Sequence, residues 1–323
     1  MSLKTAISNH TKAEIKELLV ETPFDKVAKM ADEIRKQIHG NIVHLRAIVE
    51  FSNYCRCNCL FCGLRRDNKK IVRYRMNSHE IIKAAEEAVQ AGFRTVVLQS
   101  GEDPLWSAKK LSEVVKEIKK FNVAVTLSVG ELSYRDYAIL KDAGADRYLL
   151  KFETSDERLF KALKPDTTLE KRIQCIKCLK ELGYETGSGI IVGLPGQNID
   201  SLVDDLLLMK ELELDMIGIG PFIPHPETPL RKAPLGNPLI TLKVLAIARI
   251  LLPYANIPAT TALGAISPSL RLKAFFCGAN VVMPDTTPDQ YKRLYDIYPG
   301  KTTSKGSYDY WKKIFAEIGR LSL

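Results

Sequence analysis

Between Lys12 and Ile38 apolar residues recur at helical spacing, with Ile15, Leu18 and Leu19 followed by Val27, Ala31 and Ile34. The spacing predicts an amphipathic helical lead-in. Beyond it, short apolar runs alternate with helix-period segments. The runs read as strands at 42–51, 95–99, 124–128, 147–153, 187–192, 216–220, 257–261 and 280–283. Helical patterns fill 78–90, 107–121, 169–182 and 199–212 between them. Ser107 and Thr168 stand where N-caps belong, and Gly92 and Gly183 where helices stop.

Eight strand–helix repeats in roughly 280 residues are the pattern of parallel βαβ units. No linker or composition break divides them. The expectation is an α/β chain in which a closed (β/α)8 TIM-type barrel spans 42–323 as a single domain. A helical extension (1–41) precedes it and a short helix ends it. An open doubly wound sheet is the rival architecture. A barrel would place chemistry on the loops after the strand C-termini.

Composition excludes little: 46% of the 323 residues are hydrophobic and 26% charged, which rules out a disordered or collagen-like chain. The net charge of +9 favours anionic contacts without choosing among them. A basic run from Arg65 to Arg75 carries only Tyr74 as an aromatic, so no nucleic-acid partner is expected. The most apolar stretch, 244–255, is interrupted by Arg249 and Pro253 and is too short for a bilayer, so no membrane partner is expected. The N-terminus lacks the apolar core of a secretory signal. Cysteine usage agrees with a cytoplasmic protein: there are seven, an odd number, and four of them are crowded together.

Those four are Cys55, Cys57, Cys59 and Cys62, directly after the first predicted strand. Cys55, Cys59 and Cys62 are spaced C-x3-C-x2-C, with Phe61 before the last. Three thiolates on one tight loop can hold three irons of a cubane and leave the fourth open. Zinc would need a fourth ligand, and Cys57 is poorly placed to complete a tetrahedron. Cys57 is expected to point away from the other three. Cys175, Cys178 and Cys277 read as packing.

The cysteine motif resembles the radical S-adenosylmethionine (SAM) superfamily. The resemblance implies a 4Fe–4S cluster on Cys55, Cys59 and Cys62, with SAM chelating the open iron. Its reductive cleavage would give a 5′-deoxyadenosyl radical. From about 42 to 302 the chain is similar to one branch, the FeFe-hydrogenase maturases of HydE type. The matching stretches include FSNYC, CGLRRDN, VLQSGEDP, VGLPGQ and CGANVVMP. Biotin synthase and methylornithine synthase are more distant relatives. The implied function is a HydE-type maturase; the alternatives are a radical SAM enzyme of another pathway, such as a methylornithine-synthase-like mutase, or a non-catalytic Fe–S or nucleic-acid-binding protein. The implied partners are a small or organometallic substrate bearing a carboxylate, a flavodoxin or ferredoxin as electron donor, and other hydrogenase maturases.

The same resemblance distributes roles. Ser100, Gly101 and Glu102 resemble the element that receives the SAM ammonium. Glu153 and Arg172 match the positions that hold its amino group and carboxylate, although a rim ion pair explains them too. Ser128 is a candidate for the methionine moiety. Val192, in GIIVGLPGQ, lies on the adenine-reading strand. Tyr295 and Tyr298 cover the adenosine or pack a helix face. Substrate candidates are Arg46, Gln99, Thr126, Arg147, Lys151, Met216, Thr260, Thr261 and Met283. A guanidinium buried within a strand calls for an anionic partner, which singles out Arg46 and Arg147. His225 either touches substrate or stiffens its loop.

Two departures stand out. Lys151-Phe152 replaces the Arg-His pair of the HydE pattern, and Asp285 replaces an asparagine. Lysine keeps the charge but loses the planar fork of arginine. Both departures bear on the substrate and leave the SAM chemistry as it is. The tail after Lys301 has no cysteine, so one cluster is expected.

Overall fold

Two helices, α1 (Lys12–Val20) and α2 (Phe24–His39), lead into strand β1 (Ile42–Leu45) in a computed structural model that describes residues 10–301 and 307–323. Residues 1–9 of the predicted extension and 302–306 lie outside the described residues. The chain continues through β2 (Ala47–Ser52), α3 (Ser78–Gln90), β3 (Thr95–Ser100), α4 (Ala108–Lys119), β4 (Ala124–Ser128), α5 (Tyr134–Asp142) and β5 (Arg147–Leu149). Then come α6 (Glu157–Leu163), α7 (Leu169–Glu181), β6 (Glu185–Val192), α8 (Ile199–Glu211), β7 (Met216–Pro221) and α9 (Pro238–Leu251).

Strands β2 to β7 pair in chain order, every pair parallel, so their C-terminal ends share one edge. The returning helices start where polar side chains cap them: Asn77, Ser107, Ser133, Thr168 and Asn198 each accept a backbone N–H of the first turn. The strands are largely buried, as a parallel sheet covered by helices requires.

The expected closed eight-stranded sheet does not form. Six strands make one sheet, and β8 (Val281–Val282), β1 and β9 (Leu321–Ser322) make a second. The predicted run 42–51 is two strands, broken at Arg46. The run 257–261 makes no strand, only isolated bridges from Asn256 to Met216 and from Pro258 to Val281. Pro258 has no N–H to give a ladder, and the next helix begins at Thr261. A further bridge joins Ile48 to Asp285. The run 147–153 stops pairing as a strand at Leu149, and Glu153 takes a left-handed backbone with φ +66°.

Helix α9 explains the most apolar stretch of the sequence. It packs on β7 and is covered by α1, α2 and α8, so it is apolar on nearly every side. Its Arg249 is fully buried and donates to the carbonyls of Gly278, Pro253 and Ala255 and to Asn280 Oδ1. Among the described residues no helix is long and apolar enough to cross a membrane.

Candidate functional site

After β2 the chain enters an irregular loop that carries four cysteines. Arg73 clamps this loop from outside, donating to the carbonyls of Asn53, Leu64 and Arg65. Part of the basic run thus serves the loop itself. Gly63, next to Cys62, is pressed so closely that a Cβ would lie 2.1 Å from the Asp296 carbonyl oxygen. His225 lines the same contact, its Nε2 3.0 Å from the Asp296 carboxylate, and so stiffens the loop junction.

Two donors aim at the thiols. The Glu102 N–H lies 3.4 Å from Cys55 Sγ, and the buried Lys164 ammonium donates to Cys59 Sγ at 3.3 Å. Cys57 is buried in the same loop, and its neighbouring thiol helps to bring Cys55 down to about 7. Burial pushes Cys59 and Cys62 upward. Among the described residues no three His, Cys, Asp or Glu side chains gather around a point suited to a single ion.

Beside the loop, Glu102 after β3 and Glu131 after β4 both turn onto Arg172 of α7. Arg172 Nε lies 2.8 Å from Glu131 Oε1, and Nη2 lies 3.8 Å from Glu102 Oε1. Burial works against the charge of Arg172, but the two carboxylates prevail and raise its pKa. Glycine makes this geometry possible. A Cβ on Gly130 would strike Glu102 Cγ at 2.0 Å, and one on Gly101 would reach the Tyr54 carbonyl oxygen at 2.3 Å.

Against the inner face of the sheet lies a cavity of about 300 Å³. Arg46, Gln99, Thr126, Lys151, Met216, Thr260, Thr261 and Met283 all line it. Arg147 does not; at the opposite end of its strand it pairs with Glu185 at 2.6 Å. Phe61, Cys62, Glu153 and Tyr298 also border the cavity, so the cysteine loop opens onto the same space. Ser100 and Glu102 line a neighbouring groove, with Gly101 between them behind Cys55. Ser128 is half-buried beside Gln99. Val192 is buried, its carbonyl taken by the Phe222 N–H at 2.8 Å, and Ile191 faces the cavity instead. Tyr295 is buried under the Lys301 ammonium, away from the cavity wall.

The cavity wall is chemically uneven. Lys151 and Glu153 form an ion pair at 3.0 Å. Burial, aided by Arg147, pushes the Arg46 guanidinium down to about 10, and Arg46 Nη1 finds only the Met216 sulfur, at 3.1 Å. Among the described residues the buried hydroxyls of Thr126 and Thr260 have no hydrogen-bond partner. On the other side Lys301 is shared between two buried carboxylates, Glu50 and Asp285. Burial pushes Glu50 up to about 8 despite the lysine.

Comparison with known proteins decides what this arrangement belongs to. The sequence model of the radical SAM superfamily matches residues 49–209. The [FeFe] hydrogenase maturase subunit HydE of Thermotoga maritima is 59% identical over 273 residues, covering 84% of this chain and 78% of that protein. The chain belongs to the radical SAM superfamily. The 3-methylornithine synthase of Methanosarcina acetivorans is 31% identical over 266 residues, 81% of this chain and 75% of that protein. The crystal structure of methylornithine synthase (PylB) superposes with a TM-score of 0.82 at 26% identity, covering 100% of this chain and 97% of that one.

As a radical SAM enzyme the chain uses a 4Fe–4S cluster and SAM. The residues present fit both. Three thiols share one loop, the Glu102 amide and Lys164 ammonium supply positive partners for thiolate sulfur, and unpartnered hydroxyls face the adjoining cavity. Sequence reasoning passed over Glu131, Lys164, Glu50 and Lys301. Glu131 had a signal, since Gly130-Glu131 after β4 repeats Gly101-Glu102 after β3. Glu50 had one too, as a lone acid inside an apolar strand.

Proposed function

We propose that this radical SAM enzyme is a HydE-type maturase of the FeFe-hydrogenase active site, read on the 59% identity to the Thermotoga maritima subunit. Residues 42–323 form the catalytic unit, with 1–41 as its helical extension. The bridges at Asn256, Pro258 and Asp285 support a barrel that functions as closed. The cofactors, when bound, supply a 5′-deoxyadenosyl radical.

The chain's own residues bind and orient. Cys55, Cys59 and Cys62 hold the cluster. Ser100, Gly101, Glu102 and Glu153 receive the SAM ammonium, and Arg172, steadied by Glu131, meets its carboxylate. Phe61, Ser128, Val192, Tyr295 and Tyr298 frame the rest of the ligand. Arg46 takes a substrate carboxylate, because a buried guanidinium without an anion is costly. Thr126 and Thr260 offer hydroxyls to the same molecule. The enzyme is cytoplasmic and takes electrons from a flavodoxin or ferredoxin; other maturases supply and receive its substrate.

Anaerobic reconstitution should give about four irons per chain and 5′-deoxyadenosine from SAM after reduction. The chain should then restore hydrogenase maturation to a system lacking HydE. Cleavage of SAM without such rescue would reject the maturase reading. It would favour a related enzyme with another substrate, a reading that Lys151 and Asp285 on the cavity wall support.

A further inference from the structure

Asp205 of α8 is fully buried and forms no ion pair among the described residues. A carboxylate so placed persists only if several donors satisfy it. Four do. Oδ1 accepts from the Ser155 N–H, from the Ser155 hydroxyl at 2.7 Å and from the Thr154 hydroxyl at 3.4 Å. Oδ2 accepts from Gln197 Nε2 at 3.2 Å.

These donors come from two places that matter. Thr154 and Ser155 directly follow Glu153, whose φ of +66° is a conformation that a non-glycine residue holds only under constraint. Gln197 grips the end of β6, its Oε1 accepting from the Gly193 N–H at 2.6 Å and its Nε2 also reaching the Ile191 carbonyl at 3.1 Å. The two strand ends are joined directly as well: the Glu153 N–H donates to the Gly189 carbonyl at 2.9 Å, and the Ile191 N–H to that of Glu153 at 3.0 Å. Capping does not account for Asp205, because Asn198 already caps α8.

We infer that Asp205 is a positioning residue for SAM, clamping the segment that follows β5 to the end of β6 so that Glu153 keeps its left-handed backbone and presents its carboxylate to the cavity. The inference rests on the reading of Glu153 as an acceptor for the SAM ammonium. Asp205 itself lies outside the cavity wall.

The test is a double-mutant cycle on reconstituted protein, with SAM dissociation constants from equilibrium dialysis. Asp205→Asn should weaken SAM binding about tenfold while iron per chain stays at the wild-type value. Glu153→Gln should weaken it by a similar factor, and the double variant no further than Glu153→Gln alone. In unloaded Asp205→Asn protein the Ser155 amide should exchange faster with solvent deuterium. Should Asp205→Asn fold poorly, Ser155→Ala removes one bond of the clamp and should show a smaller loss with the same non-additivity. Wild-type SAM affinity in Asp205→Asn, or losses that add fully to those of Glu153→Gln, would overturn the inference. Unchanged binding in Glu153→Gln alone would instead overturn the underlying reading of Glu153.

Discussion

Arg46 Nη1 lies 3.1 Å from the Met216 sulfur, and among the described residues no carboxylate pairs with this buried guanidinium. In the proposed function this buried cation takes the substrate carboxylate. Arg46→Met keeps length and removes the charge. It should stabilise the empty protein by about 1 kcal/mol, raising its melting temperature by about 1–2 °C. Substrate turnover should fall about 10- to 100-fold, while SAM cleavage without substrate continues. Unaltered turnover in that variant would show that the substrate anion sits elsewhere.

Arg172 and Glu131 are each 4% exposed in their side chains and meet at 2.8 Å. Removing Glu131 leaves the buried Arg172 charge with Glu102, 3.8 Å away, and the more distant Glu153. Glu131→Gln should lower stability by about 3 kcal/mol, read from the urea midpoint. SAM binding should weaken with it. A midpoint equal to wild type would mean that Arg172 had found another anion.

Gly101→Ala places a methyl group 2.8 Å from Cys55 Cβ and nearer still to the Tyr54 carbonyl. The cysteine loop must shift, so iron per chain and cluster absorbance should both drop. Gly183→Ala is the control. Its φ is +75°, but nothing lies within 4 Å of an added Cβ, so it should cost about 1 kcal/mol of stability and leave iron content intact. Equal iron loading in the two variants would contradict the close fit at Gly101.

His39 stands 2.9 Å from Arg249 Nη1, and burial together with that guanidinium holds it down to about 4 from its ordinary 6.5. The unfolded chain takes up this proton on acidification before the folded one does. The histidine's contribution is therefore fully present above pH 6.5 and is lost as the pH falls towards 4. Urea midpoints of His39→Gln should decline less steeply across that window than those of wild type. Parallel declines would assign the acid sensitivity to other groups.

The legible parts of this molecule were those whose signals are local. C-x3-C-x2-C announces itself within eight residues, and the helix caps at Ser107 and Thr168 were readable from one side chain each. Lys164 was not readable: it meets Cys59 from 105 positions away and looks like any lysine ending a helix. The same holds for Lys301 against Glu50, 251 positions apart. The strand count failed where periodicity could not see hydrogen bonding. Arg46 interrupts an apolar run without changing its pattern, and Pro258 denies a ladder to a segment that is otherwise strand-like. The family resemblance groups Arg147 with the substrate residues, yet its place at the strand's first position puts it opposite Glu185.

The burial of α9 beneath α1 and α2 also orders events in time. The two N-terminal helices leave the ribosome first, yet the surface they cover is made some two hundred residues later. Until then α1 has only α8 to dock on, α2 lacks its main partner, and α9 in turn emerges with a bare apolar flank. The lead-in is thus a late-closing cover, and a chain shortened at its start would meet the cell's chaperones with that flank still open.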